Sequence, residues 1–144
     1  MPPGSRWRNG VVAVLEVQWG SPVASKWFRI NHLNHSGRRL IKLVGHSNFV
    51  VTNACPDAVM HARQRGTPDA AWLASNLQAL QPRVTIVCGA VARKTFSRRM
   101  VPVGSAVVYI PHPAARTWTK ESIAHWAAKI QKLTGSYDYG SRSI

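Results

Sequence analysis

Four short runs of apolar, largely β-branched residues limit what this chain can fold into. They are Val11 to Gln18, Phe49 to Asn53, Arg83 to Cys88 and Ala106 to Ile110. None alternates apolar with polar residues as a strand with one wet face does. Each is therefore expected to be buried on both sides, as parallel strands are when helices cover both faces of their sheet. The segments between them have helical spacing. Ser36 can cap a helix through Arg38, Leu40, Ile41 and Val44, with Gly45 as its stop. Thr67-Pro68-Asp69 can open a second helix, with Pro68 at its first position and an apolar stripe of Trp72, Leu73, Leu77 and Leu80. Ala90 to Arg99 reads as a short basic helix, and Thr119 can cap a last one through Ile123, Trp126, Ala127, Ile130 and Leu133. The order β-α-β-α-β-α-β-α predicts a three-layer α/β/α fold around a central four-stranded, mostly parallel sheet.

The 144 residues, 45% of them hydrophobic, suit one domain with its own core. Residues 1–10 read as a basic flexible arm, 11–134 as the domain and 135–144 as a polar tail. No apolar run approaches the roughly 20 residues that span a bilayer. The short run after Asn9 lacks a cleavage site of the secretory kind. Cys55 and Cys88 lie in strand-like surroundings and form neither a disulfide framework nor a metal-ligand set. His32 and His35 beside Asn34 have no further ligands in sequence reach, so no metal and no cofactor is expected. A reducing, intracellular location and a monomeric state follow as expectations.

Charge narrows the partners. Nineteen Lys and Arg face five Asp and Glu, a net charge of +14. A small domain this basic attracts polyanions. No basic amphipathic segment has an apolar face left over for a lipid surface, which favours nucleic acid over membrane. Arg38, Arg39, Arg93, Lys94, Arg116 and Lys120 are the candidate phosphate contacts.

In a parallel sheet the four carboxyl ends share one edge, and ligands of open α/β sheets bind there. The sequence brings Gln18-Trp19-Gly20, Thr52-Asn53-Ala54, Cys88-Gly89-Ala90 and His112-Pro113 to that edge. Pro111 and Pro113 fix φ on both sides of His112 and remove two backbone donors, so this imidazole is expected on a stiff loop. Asn53 carries a donor and an acceptor and can read an amide-like base edge. Neutral His112 can hydrogen-bond a developing anion. Trp19 and Phe28, the latter in a long loop from Val23 to His35, offer stacking surfaces for a planar ring.

Ser36-Gly-Arg-Arg-Leu40, Phe49-Val-Val-Thr-Asn-Ala54, Val84-Thr-Ile-Val-Cys-Gly-Ala90 and Ile110-Pro-His-Pro113, taken in order, resemble the uracil-DNA glycosylase superfamily over about residues 11 to 131. In that family the first strand ends in a Gly-rich motif holding a water-activating or water-positioning residue. A later strand supplies an Asn that reads the base. A late His-Pro-Ser loop supplies a His that stabilises the departing base and a neighbour that wedges into the minor groove. The resemblance implies that Gln18, Asn53 and His112 fill these roles, with the wedge at Ala115 or Arg116. It implies a DNA glycosylase that flips out uracil or another altered base and hydrolyses its N-glycosidic bond. The chain departs from the pattern at two points. Gln18-Trp19-Gly20-Ser21-Pro22 lacks the acid and the order of the first motif, with Glu16 the only acid nearby, and the late loop reads His-Pro-Ala. These departures leave an alternative, an inactive module of the same fold that binds DNA or a modified base.

Overall fold

The computed structural model describes residues 10–19, 25–30, 34–59 and 66–135, with the backbone alone at 18, 19, 58 and 59. The basic arm, most of the tail and the segment around His32 lie outside the described residues. The elements are β1 (Val11–Leu15), β2 (Gln18–Trp19), β3 (Phe28–Arg29), α1 (His35–Val44), β4 (Val50–Asn53), β5 (Ala58–Val59), α2 (Ala70–Leu80), β6 (Val84–Cys88), α3 (Ala90–Thr95), β7 (Ala106–Ile110) and α4 (Lys120–Thr134). A single 3₁₀ turn, Arg98–Met100, lies between α3 and β7.

The main sheet has the order β3-β4-β1-β6-β7. Strands β4, β1, β6 and β7 are mutually parallel, and β3 joins the edge antiparallel to β4. The four strands expected from the apolar runs are all present. The fifth, β3, is two residues from the long aromatic loop, too short to leave a periodic trace. One expected boundary moves. The first strand ends at Leu15, not Gln18, because Gln18 and Trp19 leave the main sheet and pair in parallel with Ala58 and Val59.

Helices cover both faces, so β4 and β6 are buried throughout and β1 up to its half-buried last residue, Leu15. On one side Val11, Ala13, Val51, Ile86 and Val108 pack against Leu40, Leu43 and Val44 of α1 and Ile130 of α4. On the other Val12, Val14, Val50 and Val87 meet Leu73, Leu77 and Leu80 of α2, with Ala92 and Phe96 beyond. Burying a Leu side chain fully contributes about 1.5–3 kcal/mol, so these two layers supply most of the driving force for holding the sheet. Trp72 and Trp126, both expected in the core, are each only half-buried, Trp126 packing against the first layer.

Local chemistry sets the helix ends. The cap of α1 is Asn34, whose side chain accepts from the Gly37 amide at 2.6 Å, and the expected cap Ser36 lies inside the first turn. Gly45 ends α1 at φ 93°, a left-handed geometry that favours glycine. Asp69 caps α2 by accepting from the Trp72 amide at 3.0 Å, so Pro68 precedes the cap and does not occupy the first helical turn. Thr119 and Ser122 cap α4 reciprocally.

Candidate functional site

Along the carboxyl edge the chain ends appear in the order Asn53 (β4), Glu16 (after β1), Gly89 (after β6) and His112 (beyond β7). Three strand spacings of about 4.8 Å put β4 and β7 about 14 Å apart. That is wider than one nucleobase, so the loop after β7 has to lean inward for Asn53 and His112 to serve one ligand.

Asn53 is the last residue of β4, opposite Leu15 of β1, and is 1% exposed. The chain beyond it is tied to the end of β1, with the Ala54 amide donating to the Leu15 carbonyl at 2.8 Å and the Cys55 amide to the Glu16 carbonyl at 2.9 Å. Its side-chain Oδ1 and Nδ2 are both buried and have no hydrogen-bond partner in the protein. Buried amides are nearly always paired, and leaving one unpaired costs about 1–3 kcal/mol. An unpaired donor and acceptor side by side call for an explanation, and a complementary group bound at this edge would supply one. An Asn at a strand end can also close a local turn through its side chain, but that role does not fit atoms with no partner.

His112 leans inward over β6. A Cβ built on Gly89 would meet the His112 Cβ at 3.2 Å, and Gly89 itself adopts φ 88°. Only glycine combines that backbone with so close an approach. The Gly89 amide donates to the Ile110 carbonyl at 2.9 Å, tying the ends of β6 and β7 together. His112 Nδ1 accepts from the Ala114 amide at 3.0 Å, which places the proton of the neutral ring on Nε2. The His112 carbonyl accepts from the Ala115 amide and from Trp118 Nε1, each at 2.9 Å. Burial pushes the His112 pKa below its ordinary value, partly offset by the Glu16 carboxylate. A neutral imidazole with Nε2–H as its one free donor is the form that can hydrogen-bond a developing anion.

Glu16 is the site residue that the sequence left undervalued. With β1 ending at Leu15, Glu16 is the first residue past the strand rather than part of it. Its charge acts on His112 and also on Cys55, whose thiol is pushed up to about 11 by burial, then by Glu16 and Asp57. Glu16 therefore stands electrostatically between the Asn53 end and the His112 end of the edge. The clue in the sequence was an acid inside an apolar run, in a chain with only five.

The other expected residues are distributed unevenly. Gln18 and Trp19 are three and four residues past β1, in the separate ribbon with β5, and their side chains lie outside the described residues. Phe28 is half-buried opposite Val51, two residues before Asn53. Its segment is pinned from below: the Lys26 carbonyl accepts from Thr52 Oγ1 at 2.7 Å and from Asn76 Nδ2 at 3.2 Å. Arg38, Lys94, Arg116 and Lys120 are exposed. The Arg93 guanidinium lies 4.9 Å from the Tyr109 ring centroid. Arg39 faces the His112 loop instead of solvent, donating to the Pro113 carbonyl at 3.4 Å. Among the described residues no group of three His, Cys, Asp or Glu could hold a metal ion, and no helix is long and apolar enough to cross a membrane.

No curated protein matches the chain. The family model of the Uracil DNA glycosylase superfamily matches residues 23–134, which takes in β4, β6, β7 and the His112 loop and begins after β1 and Glu16. With that match over most of its length and this mostly parallel sheet, the chain belongs to the Uracil DNA glycosylase superfamily.

Proposed function

We propose that this protein binds DNA, takes a uracil or other altered base out of the stack and hydrolyses its N-glycosidic bond. The observation that carries this reading is the unpaired, buried amide of Asn53 on the same edge as a neutral, inward-leaning His112. A base must leave the duplex before its sugar bond can be reached. At this edge the Asn53 amide pairs with the polar edge of the base, and Phe28 supplies an apolar surface. As the bond between the base nitrogen and the sugar carbon breaks, the electron pair goes to the base and the sugar becomes cationic. His112 Nε2–H donates to the base anion, and Glu16 takes the water-orienting role that the sequence assigned to Gln18. Water adds to the sugar carbon and gives its proton to the Glu16 carboxylate, which passes it through solvent to the departed base anion, leaving an abasic site and the neutral free base. The exposed Arg38, Lys94, Arg116 and Lys120 supply phosphate contacts, which provide most non-specific affinity.

A second reading, binding without turnover, draws support from a family match that starts only at residue 23 and so omits Glu16. Base release from oligonucleotides each holding one altered base, followed by alkali cleavage, separates the two. Release by the native protein, lost in Asn53→Ala and His112→Ala, supports catalysis. Salt-sensitive binding with intact glycosidic bonds throughout the panel supports the binding module. Unchanged release in both variants rules out this site.

A further inference from the structure

We infer that Trp118 and Arg39 are positioning residues that lock the loop bearing His112 in its inward-leaning state; this rests on the catalytic reading above. The loop leaves β7, makes a turn at His112–Ala115 and meets α4 at Thr119. Such a segment on a sheet edge has few neighbours to hold it. Two side chains from outside the turn supply what the backbone lacks. Trp118 folds back and donates its indole N–H to the His112 carbonyl at 2.9 Å. Arg39, from the first turns of α1, donates to the next carbonyl, that of Pro113, at 3.4 Å. The two are themselves stacked, with the Arg39 guanidinium 5.4 Å from the centre of the Trp118 ring.

The arrangement is specific to its chemistry. Only a flat, delocalised cation can lie over an indole and still send an N–H to a carbonyl; a Lys ammonium has neither the plane nor the fork. Among Phe, Tyr and Trp only Trp donates from the ring itself. The adjacent carbonyls of His112 and Pro113 are thus held from two directions, and Gly89 packs against the His112 Cβ from below. The ring can then keep its Nδ1 on the Ala114 amide and its Nε2–H outward without reorganising when a base arrives. Arg39 therefore acts through the loop, and not as the phosphate contact its charge suggested.

The test compares Trp118→Phe and Arg39→Lys with the native protein. Trp118→Phe keeps an apolar ring and removes one donor; Arg39→Lys keeps the charge and removes the stack. Losing one such hydrogen bond is expected to lower kcat for base release about 3- to 10-fold, with KM and the salt dependence of DNA binding unchanged. The nitrogen-15 spectrum of His112 reads the positioning without turnover. The native ring is expected as the Nε2–H tautomer, and both variants as a mixture. A rise in KM with a shallower salt dependence in Arg39→Lys, or an unaltered tautomer in both variants, overturns the inference. If the native protein releases no base, the catalytic reading fails, while the His112 tautomer still decides whether the loop is locked as described.

Discussion

Replacing Asn53 with Leu should make the protein more stable and useless for base recognition at once. The residue is 1% exposed, and both amide atoms are buried without partners in the protein. Each such atom costs about 1–3 kcal/mol relative to a paired or apolar one. Leu has the same branching at Cγ but is bulkier, and overpacking a filled core costs about 1–3 kcal/mol. Removing two penalties and adding one leaves a net gain of about 1–3 kcal/mol. At roughly 2–4 °C per kcal/mol for a domain near this size, Tm should rise by about 2–12 °C. Urea and thermal unfolding measure the gain, and base release in the same preparations measures the loss. Asn53→Ala controls for bulk, since it removes the polar atoms without overfilling the site. If both variants unfold earlier than the native protein, the amide is satisfied in solution and Asn53 is a structural residue.

Three further outcomes follow from the same edge. Gly89→Ala should lose about 1–3 kcal/mol of stability, because φ 88° disfavours a side chain, and should also slow base release, because the new Cβ meets His112 at 3.2 Å; a variant of native stability would remove the close approach from the account. The depressed His112 pKa means that the unfolded chain binds the proton more readily than the folded one. Stability tied to His112 is thus full above pH 6.5, its ordinary pKa, and falls as pH drops below that value towards the folded pKa; His46, also depressed, adds in the same direction. Unfolding curves from pH 7.5 down to 5 should show this slope diminished in His112→Gln, and an equal slope would contradict the burial. Exposed Arg116 should act as a phosphate contact, so Arg116→Ala should weaken DNA binding on all sequences and flatten the plot of log K against log salt by about one unit; sequence-selective weakening would argue for base contact instead.

How far the sequence could be read depended on range. The run Ala106 to Ile110 kept its bounds, but as β7 it lies at the sheet edge with Tyr109 exposed, so the burial on both sides expected of it is not met. The end of β1 could not be read. Val17 is as apolar as Val14, and what draws the chain away at Glu16 is pairing of Gln18–Trp19 with Ala58–Val59, some forty residues on. The caps expected at Thr119 and Gly45 are found, but the start of α1 was misplaced, for a different reason. Asn34 and Ser36 are both good caps, and only the turn that forms decides that Asn34 meets the Gly37 amide. Asn53 and His112 were visible as types at strand ends, yet the unpaired amide and the tautomer are properties of neighbours. Arg39 looked like one more surface cation because its partners, Pro113 and Trp118, are more than seventy residues away.

The strand order also governs how the protein comes into being. Strand β1 sits at the centre of the sheet, paired with β4 on one side and β6 on the other, so Val11 waits for Val84 to be made. Topologies with such remote pairings fold on the millisecond-to-second scale and leave apolar strands uncovered meanwhile. Glu16 is synthesised before β4, β6 and β7, and acquires its surroundings only when they have docked. Mutations that slow the docking of β6 or β7 should therefore show first as poor soluble yield from a growing cell, before any defect is detectable in the molecules that do mature.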